Sequence, residues 1–160
     1  MRLWKALGRW PWIQQLILRL LNPRFLVGVV GLVFDDRGRV LLFHHTYRRR
    51  YPWSLPGGWL RRGEDPPEGL AREFREETSL QIEALAPLAA FARSVYPNFE
   101  VIYRARVVGG EFRPSREVDG MEYFELDRLP EMNGYQRELI LAEGARRHAE
   151  APAKIRNGAL

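Results

Sequence analysis

The sequence contains no cysteine, which excludes a disulfide framework, thiol catalysis and zinc-finger sites, and suits a reducing cytoplasm. Lysine is nearly absent too: Lys5 and Lys154 are the only two among 25 basic residues, so the formal charge of +5 is carried almost wholly by arginine. Arginine offers a planar fork that binds phosphate bidentately, and the charge favours anionic partners such as nucleotides, nucleic acid or acidic lipid. A coding or thermal-adaptation bias explains many of these arginines equally well. Acidic residues are missing from the first 34 positions. The segment Trp12 to Leu21 is too short and too polar to span a bilayer, and no small-residue cleavage site follows it. A chain of 160 residues fits one domain that buries a core without a structural metal.

Residues 1–24 form a basic preface in which Arg2, Lys5, Arg9, Arg19 and Arg24 alternate with Leu, Ile and Trp. The spacing predicts two short amphipathic helical pieces hinged at Pro11, the second ended by Asn22-Pro23. Such a preface can cover a face of the domain, form a homodimer contact, or lie peripherally on a membrane through residues 1–22. The main domain is expected over 25–148, with 149–160 as a flexible tail. FLVGVVGLVF and VLLFHH, separated by the turn Asp35 to Gly38, read as a hairpin of buried strands. Pro66 to Thr78 reads as a helix, with Asp65 as N-cap, Pro66 in the first helical position and Glu68 completing the cap. Two β-like stretches then flank Tyr96-Pro97-Asn98, the strand MEYFEL follows a Gly109-Gly110 turn, and Gln136 to His148 reads as a closing helix.

The helix after Asp65 carries the chemistry. Residues three and four apart share a helix face, so Glu73, Glu76 and Glu77 are expected to converge, while Leu70 and Phe74 form a separate apolar stripe. Clustered carboxylates repel unless cations compensate. Arg72 and Arg75 can do so as ion pairs. A hard divalent cation, Mg²⁺ or Mn²⁺, is the alternative compensator, because it prefers carboxylate oxygen and is commonly shared with substrate phosphates.

The order Gly58, five residues, Glu64, seven residues, Arg72-Glu73-Phe74, one residue, Glu76-Glu77, one residue, Ser79-Leu80 resembles the Nudix box of the Nudix hydrolase family, with Ser79 where the family usually has Gly. Trp53 to Gly58 before the box and EYFELDRLPEM after it look similar too, so the resemblance covers residues 25 to 147 or so. It implies an α/β/α sandwich around a mixed sheet, and hydrolysis of a nucleoside diphosphate linked to another group X to give a nucleoside monophosphate and phospho-X. By position, Glu73, Glu76 and Glu77 would be metal ligands, one of them also serving the attacking water. Arg72 would hold a box glutamate by an ion pair, Glu64 would support the loop or bind a second metal, and Gly58 would contribute backbone near the metal. Family members often recruit another acid from the loop before the late strand; Glu117 is the first candidate here and Asp119 the second. Ser79 would cost about 1 kcal/mol if its φ is positive, too little to abolish a site whose ligands are present.

Between the second strand and the box lie His44, His45, Tyr47, Arg48, Arg49, Arg50 and Tyr51. Arginines there would hold phosphates and an aromatic ring would stack on a base; the alternative is an exposed basic loop, with one of the two histidines simply covered by packing. Tyr96 sits where dinucleoside polyphosphate hydrolases of the family often have Tyr, and Pro97 one position beyond where ADP-ribose pyrophosphatases often have Pro, so these cues conflict. The expected partner is a small nucleoside diphosphate derivative. A nucleotide sensor without hydrolysis and a hydrolase of RNA 5′ ends are the alternatives.

Overall fold

The computed structural model describes residues 11–21, 25–93 and 98–150. Tyr96, Pro97, the first helical piece of the preface and the tail beyond 150 lie outside the described residues. Helix α1 spans Pro11–Leu21. Strands β1 (Leu26–Val33), β2 (Val40–His45), β3 (Trp53–Ser54) and β4 (Gly57–Trp59) precede helix α2, Pro66–Thr78. Strands β5 (Gln81–Arg93), β6 (Asn98–Gly109) and β7 (Val118–Phe124) follow, and helix α3, Gly134–Glu150, closes the described chain two residues beyond the expected His148.

A four-stranded sheet has the order β4-β1-β6-β5 and a three-stranded sheet the order β3-β2-β7. The first is mixed, because β1 runs parallel to β6 and antiparallel to β4. This corrects the expected β1–β2 hairpin. The chain does reverse at Asp35, whose carboxylate accepts bonds from the Arg37 and Arg39 amides at 3.0 and 2.8 Å. Beyond one bridge, Phe34 to Val40, the two strands part. Both edges of β1 are already occupied, so β2 pairs with β3 and β7 in the other sheet.

Alternation along the buried strands feeds two cores. Val29 and Val33 pack with Leu41, Phe43, Leu70 and Phe74; Val30 and Leu32 pack with Val40, Leu42, Ile102 and Ile140. Helices α2 and α3 thus lie over opposite faces. The stripe expected on α2 is the buried one, with Leu70 and Phe74 fully covered and Phe74 edge-on to Phe43 at 5.2 Å. Each such side chain contributes roughly 1.5–3 kcal/mol relative to exposure.

Helix α2 has the expected bounds, with Asp65 as N-cap and Pro66 inside the first turn, but Asp65 makes no side-chain capping bond and Glu68 is merely an exposed acid of that turn. At the other end Ser79 is the C-cap, left-handed at φ 63° and ψ 8°, donating its N–H to the Arg75 carbonyl. A Cβ is strained there. Ser79→Gly should raise stability by about 0.5–1 kcal/mol, read as a higher urea midpoint with unchanged slope; an unchanged midpoint would mean the strain is relieved elsewhere.

Candidate active site

Arg72, on the inner side of α2 and almost wholly buried, organises the loop that precedes the helix. Its Nε and Nη2 donate to the two Glu64 oxygens at 2.7 and 2.9 Å, Nη1 donates to Glu73 at 2.8 Å and Glu76 at 3.0 Å, and Nη2 donates also to the Trp59 carbonyl at 3.0 Å. All five N–H groups of a guanidinium are thereby engaged. The Glu64 bond first, and the Glu73 and Glu76 bonds after it, raise the Arg72 pKa above its ordinary value in spite of burial. Glu64 answers with a carboxyl lowered to about 2, through Arg72 and the Arg61 amide. With both oxygens so held, Glu64 pins the loop and does not line the cleft.

The three helix glutamates lie close enough for Glu73 and Glu76 to share Arg72 Nη1 and for both charges to reach Glu77, but they divide between the cleft and solvent. Glu76 turns outward, where Arg61 Nη2 and Arg72 Nη1 reach it at 2.9 and 3.0 Å. Partial desolvation is outweighed by the Arg72 bond and the Arg61 charge, so its pKa lies below the ordinary value. Glu73 and Glu77 instead face a cleft of about 740 Å³, and the loop before β7 brings Glu117 to the same cleft. Glu77 is buried, and its Oε2 has no hydrogen-bond partner among the described residues. Burial, and next the charges of Glu73 and Glu117, push the Glu77 carboxyl up to about 8. The helix therefore carries two acids into the cleft and leaves a third on its ion pairs.

Two glycines make this approach possible. At Gly57, φ 156°, a Cβ would stand 2.2 Å from the Val29 carbonyl oxygen, and at Gly58 it would stand 2.3 Å from the Glu73 carboxyl carbon. Gly58→Ala should therefore displace the Glu73 carboxylate, lowering turnover at least tenfold, as expected for losing a positioned charge, while the thermal midpoint moves little. A crystal structure of the variant with Glu73 in place would contradict this.

The mouth of the cleft is basic. Tyr47, Arg48 and Arg116 line it, whereas Arg49, Arg50 and Tyr51 do not; Arg50 lies over the Tyr51 ring at 4.8 Å. His45 is the covered histidine, with neither ring nitrogen bonded among the described residues and its pKa lowered by burial to about 4. His44 Nδ1 lies 2.5 Å from Asp119 Oδ1, which takes the second-choice acid away from the cleft. Sequence reasoning missed the far end, where the Tyr135 hydroxyl donates to Glu100 at 2.6 Å and Gln136 Oε1 accepts the Leu55 amide at 3.2 Å. No motif marks Tyr135 and Gln136; they simply begin α3 opposite β6.

The NUDIX domain family model matches residues 24–143. The chain belongs to the Nudix hydrolase family. Among curated relatives, the MutT-like protein of Streptomyces ambofaciens is 29% identical over 109 residues, covering 68% of this chain and 70% of its own. The ADP-ribose pyrophosphatase of Methanocaldococcus jannaschii is 25% identical over 121 residues, covering 73% and 71%. Of solved structures, a NUDIX hydrolase from Nitrosomonas europaea superposes with a TM-score of 0.71 at 21% identity over 82% of this chain and 77% of its own, a likeness of fold.

Nudix hydrolases generally use divalent metals. Among the described residues no three carboxylate or imidazole groups form a ready chelate. The donor set of this Nudix domain nevertheless fits a hard cation in kind: carboxylate oxygens only, one of them buried without a partner on Glu77, with the charges of Glu73 and Glu117 near enough to raise its pKa. A divalent charge there would relieve both the desolvation and the repulsion.

Proposed function

We propose that this Nudix domain hydrolyses the pyrophosphate linkage of a nucleoside diphosphate joined to another group X, yielding a nucleoside monophosphate and phospho-X, with Mg²⁺ or Mn²⁺ as cofactor. The observation that carries the reading is the buried, unpartnered carboxylate oxygen of Glu77 in a cleft shared with Glu73 and Glu117 and edged by Arg48 and Arg116. Glu73 and Glu77, together with Glu117, would hold the metal, and Glu76 would join only by leaving Arg61 and Arg72. When bound, the cation polarises phosphoryl oxygens and lowers the pKa of water.

Arg48 and Arg116 at the mouth suit the non-reacting phosphate oxygens; Arg48 lies over the Tyr47 ring at 5.6 Å, so a base would stack on Tyr47 only where Arg48 moves toward phosphate. Arg72 acts through others: its bond to Glu73 holds that carboxylate in place beside Gly58. In the reaction, water oxygen bonds to one phosphorus, the bridging oxygen departs with the other phosphate, and a cleft glutamate accepts the proton released by water.

The test is a screen of nucleoside diphosphate derivatives, nucleoside triphosphates and capped RNA with Mg²⁺ and with Mn²⁺, resolving phosphate-containing products. The expected result is metal-dependent release of a nucleoside monophosphate from a diphosphate derivative. Metal-dependent binding with no product after long incubation would replace the reading with a nucleotide sensor. Turnover confined to RNA 5′ ends would replace the substrate class.

A further inference from the structure

Among the described residues, three aromatic side chains line the cleft: Tyr47, Trp59 and Tyr135. Tyr47 lies under Arg48, and Tyr135 packs edge-on to Phe91 at 5.7 Å. The Trp59 indole meets neither a ring nor a cation among the described residues, and the residue is 50% exposed. Its backbone, by contrast, is pinned on both sides. The Trp59 carbonyl accepts Arg72 Nη2 at 3.0 Å, and the next amide, that of Leu60, donates to the Val27 carbonyl at 2.8 Å. Across the sheet, Trp59 on β4 stands level with Gly28 on β1, and Gly28 with Glu100 on β6. A Cβ at the buried Gly28 would meet the indole at 3.5 Å and the Glu100 stem at 3.4 Å, so the ring leans over the glycine. Successive side chains on a strand point to opposite faces. Strand β4 thus meets the Glu73 carboxyl at Gly58 and carries the indole on its other face at Trp59.

We propose that Trp59 is the platform on which the nucleobase of the ligand stacks, a binding residue separate from the metal-binding acids and from the arginines at the mouth. The inference rests on the reading of the cleft as a nucleoside diphosphate site. Covering the indole with a base removes apolar surface of both from water, and the pinned backbone leaves little freedom to lose on binding. Phosphates held toward Glu73, Glu77 and Arg48 then run past Gly58 to a base at Trp59. Stacking reads no hydrogen-bond pattern, so the platform accepts purine and pyrimidine alike. Tyr47 is the rival platform, and Arg48 already lies over its ring.

Calorimetric titration of the full chain with AMP, UMP and ribose 5-phosphate in the presence of Mg²⁺ tests this without requiring turnover. Both nucleotides should bind at least about tenfold tighter than ribose 5-phosphate, which carries the same phosphate and no base. Trp59→Leu keeps apolar bulk without a π face and should bring both nucleotides down to the level of the sugar phosphate, whereas Trp59→Phe should keep most of the preference. Ribose 5-phosphate should bind all three proteins alike, which shows that the cleft is intact. The proposal is overturned by nucleotides that bind no better than ribose 5-phosphate, by a preference that Trp59→Leu retains, or by one that Tyr47→Leu abolishes instead. Absence of binding by all three ligands would sink the nucleotide reading of the cleft and this inference with it. A preference lost in Trp59→Leu, in a protein that hydrolyses none of the screened substrates, would keep the platform and make the cleft a sensor.

Discussion

Replacing Glu77 with Gln will lower turnover roughly a hundredfold or more and, in metal-free buffer, will make the protein harder to unfold. The two effects have one cause. Glu77 is buried against the charges of Glu73 and Glu117, its carboxyl is pushed up to about 8, and one oxygen has no partner among the described residues. A carboxyl whose folded pKa exceeds the unfolded value, ordinarily near 4.5, contributes stability that is complete below that value and lost as pH rises through about 8. Metal-free wild type should therefore weaken between about pH 5 and 8, and Glu77→Gln should not. The gap at the alkaline end should be on the order of 3 kcal/mol, or roughly 10 °C. Added Mg²⁺ or Mn²⁺ should close it by stabilising wild type alone, by about 2.7 kcal/mol at a hundred times the dissociation constant. Parallel melting curves for the two proteins across pH, with full turnover in the variant, would remove Glu77 from the chemistry.

Arg72→Met should be the most damaging substitution to stability in the loop and helix, by about 3 kcal/mol. It leaves Glu64, Glu73 and Glu76 without the guanidinium that all three share. The half-exposed Glu76 arm contributes little of this, because solvent screens it and Arg61 remains. Turnover should fall too, since Glu73 loses the bond that positions it. Arg72→Lys should sit much nearer to Met than to wild type, because an ammonium with three donors cannot span five acceptor positions. The pH dependence runs opposite to that of Glu77. Glu64, held at about 2 by Arg72, adds stability above its unfolded pKa and loses it as pH falls through about 2. The deficit of Arg72→Met in chemical denaturation should therefore shrink on acidification. A deficit that is small and independent of pH would show that Glu64 is held by the Arg61 amide alone.

The box was readable because its signals are local. Asp65-Pro66 starts α2 and Ser79 ends it, both by backbone rules that act within a few residues, and the Leu70–Phe74 stripe fixes which face is buried. The division of labour between Glu76 and Glu77 was not readable. Neighbours on a helix point about 100° apart, and which of them meets solvent cations and which meets Glu117 depends on Arg61 and on the loop before β7. The same limit explains the lost hairpin. A turn at Asp35 says that the chain reverses, while the partners of β1 lie in β4 and β6 and leave no trace near the turn. Glu100, Tyr135 and Gln136 enter the cleft through tertiary packing alone, so no spacing announces them.

The pairing of β1 with β6 also orders events during folding. Leu26 meets Asn98 and Val33 meets Ala105 in a parallel ladder, so each residue of β1 waits for one synthesised long after it. Such non-local closure is slow, because loop entropy is lost before any contact rewards it. Helix α2 and its Arg72 fork draw on neighbours from Trp59 to Glu76 and can assemble early. The acids would then be placed on their helix before the cleft that concentrates their charge exists, and Glu77 would meet the charge of Glu117 only when the loop before β7 arrives.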